Sequence, residues 1–160
     1  MKAFRKLGIG SIVFVLAIIV GVIGLILYGV NVSSVGYFQG LTVPYVVLLG
    51  ILAIAALVVA MLFRVIAPAN KAGSALGILA DILSVVAAVL FVIAGLTLIG
   101  ARSQGIGFVF VHDPNLDSVL STPENFASCN TAITATVFFI VAALVTVIGN
   151  FFGPMKAKEE

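Results

Sequence analysis

The chain predicts an all-α membrane protein, a bundle of four transmembrane helices. Three observations carry that expectation. Hydrophobic residues make up 62% of its 160 positions and charged residues 9%, and the mean hydropathy is +1.33, far from the averages of water-soluble chains. The apolar residues fall into four runs, each long enough to cross a hydrocarbon layer of ~30 Å at ~1.5 Å per helical residue. The basic residues between the runs segregate by side. Four spans with short connections use nearly the whole length, so a single integral membrane domain is expected over residues 1–160, with the lipid bilayer as its main partner.

The first helix is expected over 7–30. MKAFRK supplies a basic flank, and the run that follows has no charged side chain. It is longer than the ~7–15 residue core of a signal peptide and lacks an A-x-A cleavage site, so it reads as a retained span. Gly10, Ala17, Gly21 and Gly24, with Phe14 and Tyr28, recur at spacings of three and four. They form a candidate helix-packing face, because small residues let helix backbones approach closely where lipid competes with apolar side chains.

Residues 31–42, NVSSVGYFQGLT, read as a short outer loop. The second helix is expected over 43–63, with Thr42 as cap and Pro44 in the first turn, where a missing N–H costs nothing. Residues 64–72, with Arg64, Pro68 and Lys71, read as an inner turn. The third helix is expected over 73–100, an apolar segment that carries one acid, Asp81. The stretch 101–122 reads as the larger outer loop. Within it, the aromatic and β-branched residues of 106–111 between glycines and Pro114 suggest a short strand that SSVGYF of the first loop pairs with, so a small β-hairpin or strand pair is a candidate there. Thr122, Pro123 and Glu124 then form a helix start, and the fourth helix is expected over 123–152.

Seven of the eight Lys and Arg residues lie on the side of the termini and the 64–72 turn, and Arg102 alone lies on the other. That bias predicts a plasma-membrane protein with both termini cytoplasmic. Nucleic acid binding is not expected, because the positive charge follows membrane sidedness.

Chemistry-bearing residues are few. Cys129 is the one cysteine, so it has no internal disulfide partner and reads as a small residue near the start of the fourth helix. His112, Asp113 and Asp117 share a loop, but one imidazole without a second nitrogen or sulfur ligand is weak support for a metal. No phosphate cradle, nucleophile elbow or zinc-helix motif is present. No cofactor, metal or enzymatic activity is expected. Asp81 is the strongest functional candidate, since an ionisable group at the centre of a span costs ~2.5–3.5 kcal/mol. Residues 82–100 are long enough to span without it, so the favoured reading places Asp81 at the cytoplasmic interface, wetted or paired with Arg64. Gly73, Gly77, Asp81, Ser84 and Ala88 share a face, which points the acid toward other helices and favours an internal partner over lipid, and Asn150 of the fourth helix lies at similar depth. Asp81, Arg64 and Asn150 therefore form a candidate intramembrane polar contact.

Four spans, inner termini and a larger second outer loop make a plan similar to that of tetraspan proteins such as the claudins, yet this chain has no tryptophan and a single cysteine where their first loop has a tryptophan and a cysteine pair. The small multidrug exporters are similar in span number, but their essential glutamate belongs to a first helix, and this first helix holds no acid. Neither likeness assigns a family, and architecture does not carry function. Two functions are expected, in this order. One is a non-enzymatic polytopic protein that assembles with itself or another membrane protein and presents its outer loops for contact. The other is a small proton- or ion-coupled transporter or channel component that uses Asp81.

Overall fold

The computed structural model describes residues 8–66, 71–111 and 120–152. Four helices are long and apolar enough to cross a membrane: α1 Ile9–Ser33, α2 Pro44–Ile66, α3 Lys71–Phe110 and α4 Pro123–Phe151. They close into one bundle in which α1 packs mainly on α4, α4 on α3 and α3 on α2, with a thinner seam between α1 and α2.

The strand pair expected in the outer loops is not there: the described residues are helical or in turns, and 106–110 form the last turns of α3. With them goes the expected end of the third helix at Gly100 and the extent of the outer loop over 101–122. The physical reason lies in one face of this segment. Leu98, Arg102, Gly105 and Val109 are all buried, and their spacing of four, three and four is helical. Gly105 does not break the helix. It makes room for the first loop, since a methyl group there would lie 2.5 Å from Tyr37 and 2.7 Å from Phe38. SSVGYF, the expected partner strand, folds instead as the end of α1 and a turn held by Gly36, whose φ of +145° suits glycine alone. A side chain at Gly36 would also meet the carbonyl oxygen of Glu124 at 2.7 Å.

The N-terminus of α4 is built by local chemistry. Thr122 Oγ1 accepts the N–H of Asn125 at 3.3 Å, Pro123 occupies the first turn and Glu124 places a carboxylate near the positive end of the helix dipole. At α2, Pro44 opens the helix, and the Val43 N–H just before it donates to the Tyr28 hydroxyl.

The interior seats phenylalanine rings on glycines. Phe14, Phe38, Phe91 and Phe139 are the largest fully buried side chains. A methyl group on Gly149 would lie 2.8 Å from Phe14, one on Gly21 2.6 Å from Phe91, and one on Gly24 or Gly50 3.3 Å from Phe139. Ala17, Ala53, Ala60, Ala87, Ala94, Ala135 and Ala142 fill the spaces between, all fully buried. Outward positions of every helix carry exposed Ile, Leu and Val, among them Ile12, Ile26, Leu48, Ile51, Val85 and Leu144.

Gly10, Ala17, Gly21 and Gly24 lie on the buried face of α1, with Phe14 and Tyr28 between and beyond them. Replacement of Gly21 and Gly24 by Leu should therefore abolish the folded bundle, because rings enclosed on all sides have nowhere to move; overpacking typically costs ~1–3 kcal/mol for smaller insertions. Gly29→Ala is the control: no atom lies within 4 Å of its added methyl group, and the helix should gain roughly 0.5–1 kcal/mol. Thermal unfolding of the purified variants in detergent checks both.

Candidate functional site

Charged and polar side chains with defined partners gather at two levels of the bundle. From Asp81 to Arg102 along α3 the rise is ~32 Å at 1.5 Å per residue, and no Asp, Glu, Lys or Arg lies between them.

At the first level Arg64, in the last turn of α2, is 5% exposed and pairs with Asp81, which is 68% exposed. The guanidinium carbon stands 5.0 Å from the centre of the Phe14 ring, a cation–π contact with a ring of the main core. Arg64 also sits at the C-terminus of its helix, where the dipole favours a cation. Its Nη1 has no hydrogen-bond partner among the described residues. Asp81 is at the rim, outside the core. Ser84, one turn on and fully buried, lies 2.8 Å from the Asp81 carbonyl oxygen and 2.6 Å from the Asn150 side-chain amide. The three candidates are thus brought to one end of the bundle in two steps: Arg64 and Asp81 touch directly, and Asn150 is joined to α3 through Ser84. Gly73, Ser84 and Ala88 face inward, while Asp81 itself faces out.

The second level carries groups that the sequence pattern does not single out as a site. Asn31 Nδ2 donates to the Ser128 carbonyl at 2.8 Å, and the Phe38 N–H donates to Ser128 Oγ at 3.2 Å. Arg102 is 2% exposed. Its Nη2 donates to the Leu41 carbonyl, its guanidinium carbon lies 4.5 Å from the Phe38 ring centre, and its Nε has no partner among the described residues. Beneath it Phe38, Val109, Cys129 and Ala132 form a small second core with Tyr37, Ile106 and Phe126 at its edge. Cys129 is a free, fully buried thiol in that core. The available signal is the helical spacing of Leu98, Arg102, Gly105 and Val109, and the polar residues Asn31 and Ser128 each continuing the buried face of its helix. His112, Asp113 and Asp117 lie outside the described residues. Among the described residues no group of three His, Cys, Asp or Glu side chains is placed to hold a metal ion.

The chain matches no protein-family model, no curated protein and no solved structure.

The two contacts at the first level differ in burial, and that orders their energies. Asp81→Asn should leave the fold intact and lower stability by at most about 1 kcal/mol, because one partner of the pair is largely exposed. Ser84→Ala removes a tie between the buried Ser84 of α3 and the half-buried Asn150 of α4, at about 1.5 kcal/mol. Thermal unfolding midpoints should fall in the order parent, Asp81→Asn, Ser84→Ala; the reverse order of the two variants would assign Asp81 the larger structural role.

Proposed function

We propose that this chain is a non-enzymatic, multi-pass protein of the plasma membrane. Both termini are cytoplasmic, and the outer end makes contact with a second copy or with another membrane protein. The observation that carries the membrane reading is the pair of polar levels separated by ~32 Å, close to the hydrocarbon thickness of ~30 Å, with an outward surface of Ile, Leu and Val between them. The bias of Lys and Arg toward the Arg64 side supports the orientation.

Support for contact at the outer end comes from its surface. Beyond Arg102, Val35, Leu41, Phe108, Phe110 and Val111 are about half exposed or more. The backbone that carries them is fixed by the Gly36 and Gly105 seats, the Asn31 and Ser128 hydrogen bonds and the edge contact of Phe110 with Phe126 at 5.3 Å. A rigid apolar surface outside the hydrocarbon layer suits a protein partner, since aromatic residues on a preorganised backbone dominate such interfaces. The glycine face of α1, by contrast, is consumed inside the monomer. The ion-coupling reading has less behind it. Asp81 is exposed and paired, and a proton path normally needs a chain of ionisable groups where residues 82–101 offer none.

Cysteine placement tests orientation and assembly together. In a Cys129→Ala background, Gln39→Cys and Ser74→Cys put thiols at exposed positions on opposite ends. A membrane-impermeant bifunctional thiol reagent on intact cells should modify Gln39→Cys and yield a discrete cross-linked band, and should reach Ser74→Cys only after the membrane is opened. Modification of Ser74→Cys in intact cells would invert the orientation. Modified but uniformly monomeric Gln39→Cys would argue against contact at the outer end.

A further inference from the structure

Arg102 poses a charge problem that its described surroundings leave unsolved. A guanidinium stays protonated at any physiological pH, and a buried charge is costly unless it is paired and fully hydrogen-bonded. Arg102 is 2% exposed, yet its described partners are one carbonyl oxygen and one aromatic face, both uncharged. Arg64–Asp81 is the ion pair among the described residues, so no described carboxylate neutralises Arg102. Its Nε, a donor on an edge of the guanidinium plane, is left over. A recess of about 260 Å³ is lined by Arg102 together with Tyr37, Phe38, Leu41, Gln104 and Phe108. Leu41, Gln104 and Phe108 are exposed, so the recess communicates with the surroundings.

We infer that Arg102 is the cation of an anion-binding site that takes a phosphate-type oxyanion, supplied by a lipid headgroup or by free phosphate. The fork of an arginine matches two oxygens of a phosphate, and such charge-assisted bonds are about twice as strong as neutral ones. The Phe38 ring and the Leu41 carbonyl hold the guanidinium plane in place, so little rotamer freedom is lost on binding. Arg102 lies ~32 Å along α3 from Asp81, which puts it at the headgroup level of the opposite leaflet under the membrane reading; the free-phosphate source does not depend on that reading. It also gives the one basic residue of the outer side a role that sidedness alone does not.

The test uses the full chain in a neutral detergent, with thermal unfolding followed as a short-chain phosphatidylglycerol, a short-chain phosphatidylcholine or inorganic phosphate is added. A saturable rise in Tm is expected. A rise with phosphatidylglycerol alone identifies a lipid headgroup, and an equal rise with inorganic phosphate identifies the free oxyanion. Arg102→Met should weaken the apparent affinity about tenfold or more. Ala101→Phe, which fills the recess from an exposed position and leaves the arginine in place, should do the same and serves if the first variant does not fold. Three results would overturn the site. One is no saturable shift with any additive. Another is an equal shift in the parent and Ala101→Phe. The third is a loss of stability on Asp113→Asn with Asp117→Asn that disappears when Arg102→Met is also present, which would show that the chain supplies its own counter-charge. None of these bears on the thiol labelling of Gln39→Cys and Ser74→Cys.

Discussion

Glycine against phenylalanine is the constraint on which the rest of the bundle depends. Phe14, Phe91 and Phe139 share the main core and Phe38 a second one, and each rests where a neighbouring helix has no side chain: Gly149, Gly21, Gly24 with Gly50, and Gly105. A helix interior normally disfavours glycine by ~1 kcal/mol relative to alanine. Here the missing Cβ is what lets a ring of that size enter a gap between backbones. The dispersion attractions around an enclosed ring are individually weak but numerous, and packing of this kind is what can hold span-length apolar helices together where surrounding lipid would remove the usual hydrophobic preference for association. Alanines at the remaining buried positions keep the helices at that close spacing.

Each of the two cores meets a cation. Arg64 stands over Phe14 and Arg102 over Phe38, so a guanidinium lies on one ring of each. The two ends differ in how the charge is met. Arg64 reaches an exposed carboxylate, whereas Arg102 reaches a backbone carbonyl and a recess. That difference separates a tie between α2 and α3 at one end from a ligand-accepting cation at the other. Leu41 and Phe38 are both partners of Arg102, so the loop between α1 and α2 and the charge fix one another.

Much of this is legible from the chain. The apolar runs mark four helices, and the three-and-four spacing of Gly10, Phe14, Ala17, Gly21, Gly24 and Tyr28 matches the face that α1 buries. The proximity of Arg64 and Asp81 follows from their lying near the adjoining ends of two consecutive helices. The Arg102 end misleads because its local signals conflict with its packing. Glycines at 105 and 107 beside Phe108, Val109 and Phe110 look like a bounded strand, and only the position of Tyr37 and Phe38, far away in sequence, shows that Gly105 is a seat and not a stop. The buried roles of Asn31 and Ser128 rest on a hydrogen bond across 97 positions, which no local pattern announces. The small-residue spacing on α3 points Asp81 inward, and the structure corrects this: Gly73, Ser84 and Ala88 are buried but Asp81 sits at the edge of that face and is exposed.

If the seats act through size, a double-mutant cycle between Gly21 and Phe91 reads that directly. Gly21→Ala alone should lower the unfolding midpoint, since its methyl group would sit 2.6 Å from the ring tip, and Phe91→Leu alone should lower it by leaving a cavity. Combined, Phe91→Leu removes the atoms that the alanine would strike, so the double variant should be clearly more stable than the sum of the two losses implies. Strict additivity of the two losses would contradict the central claim that glycine is required at this position by the ring packed against it.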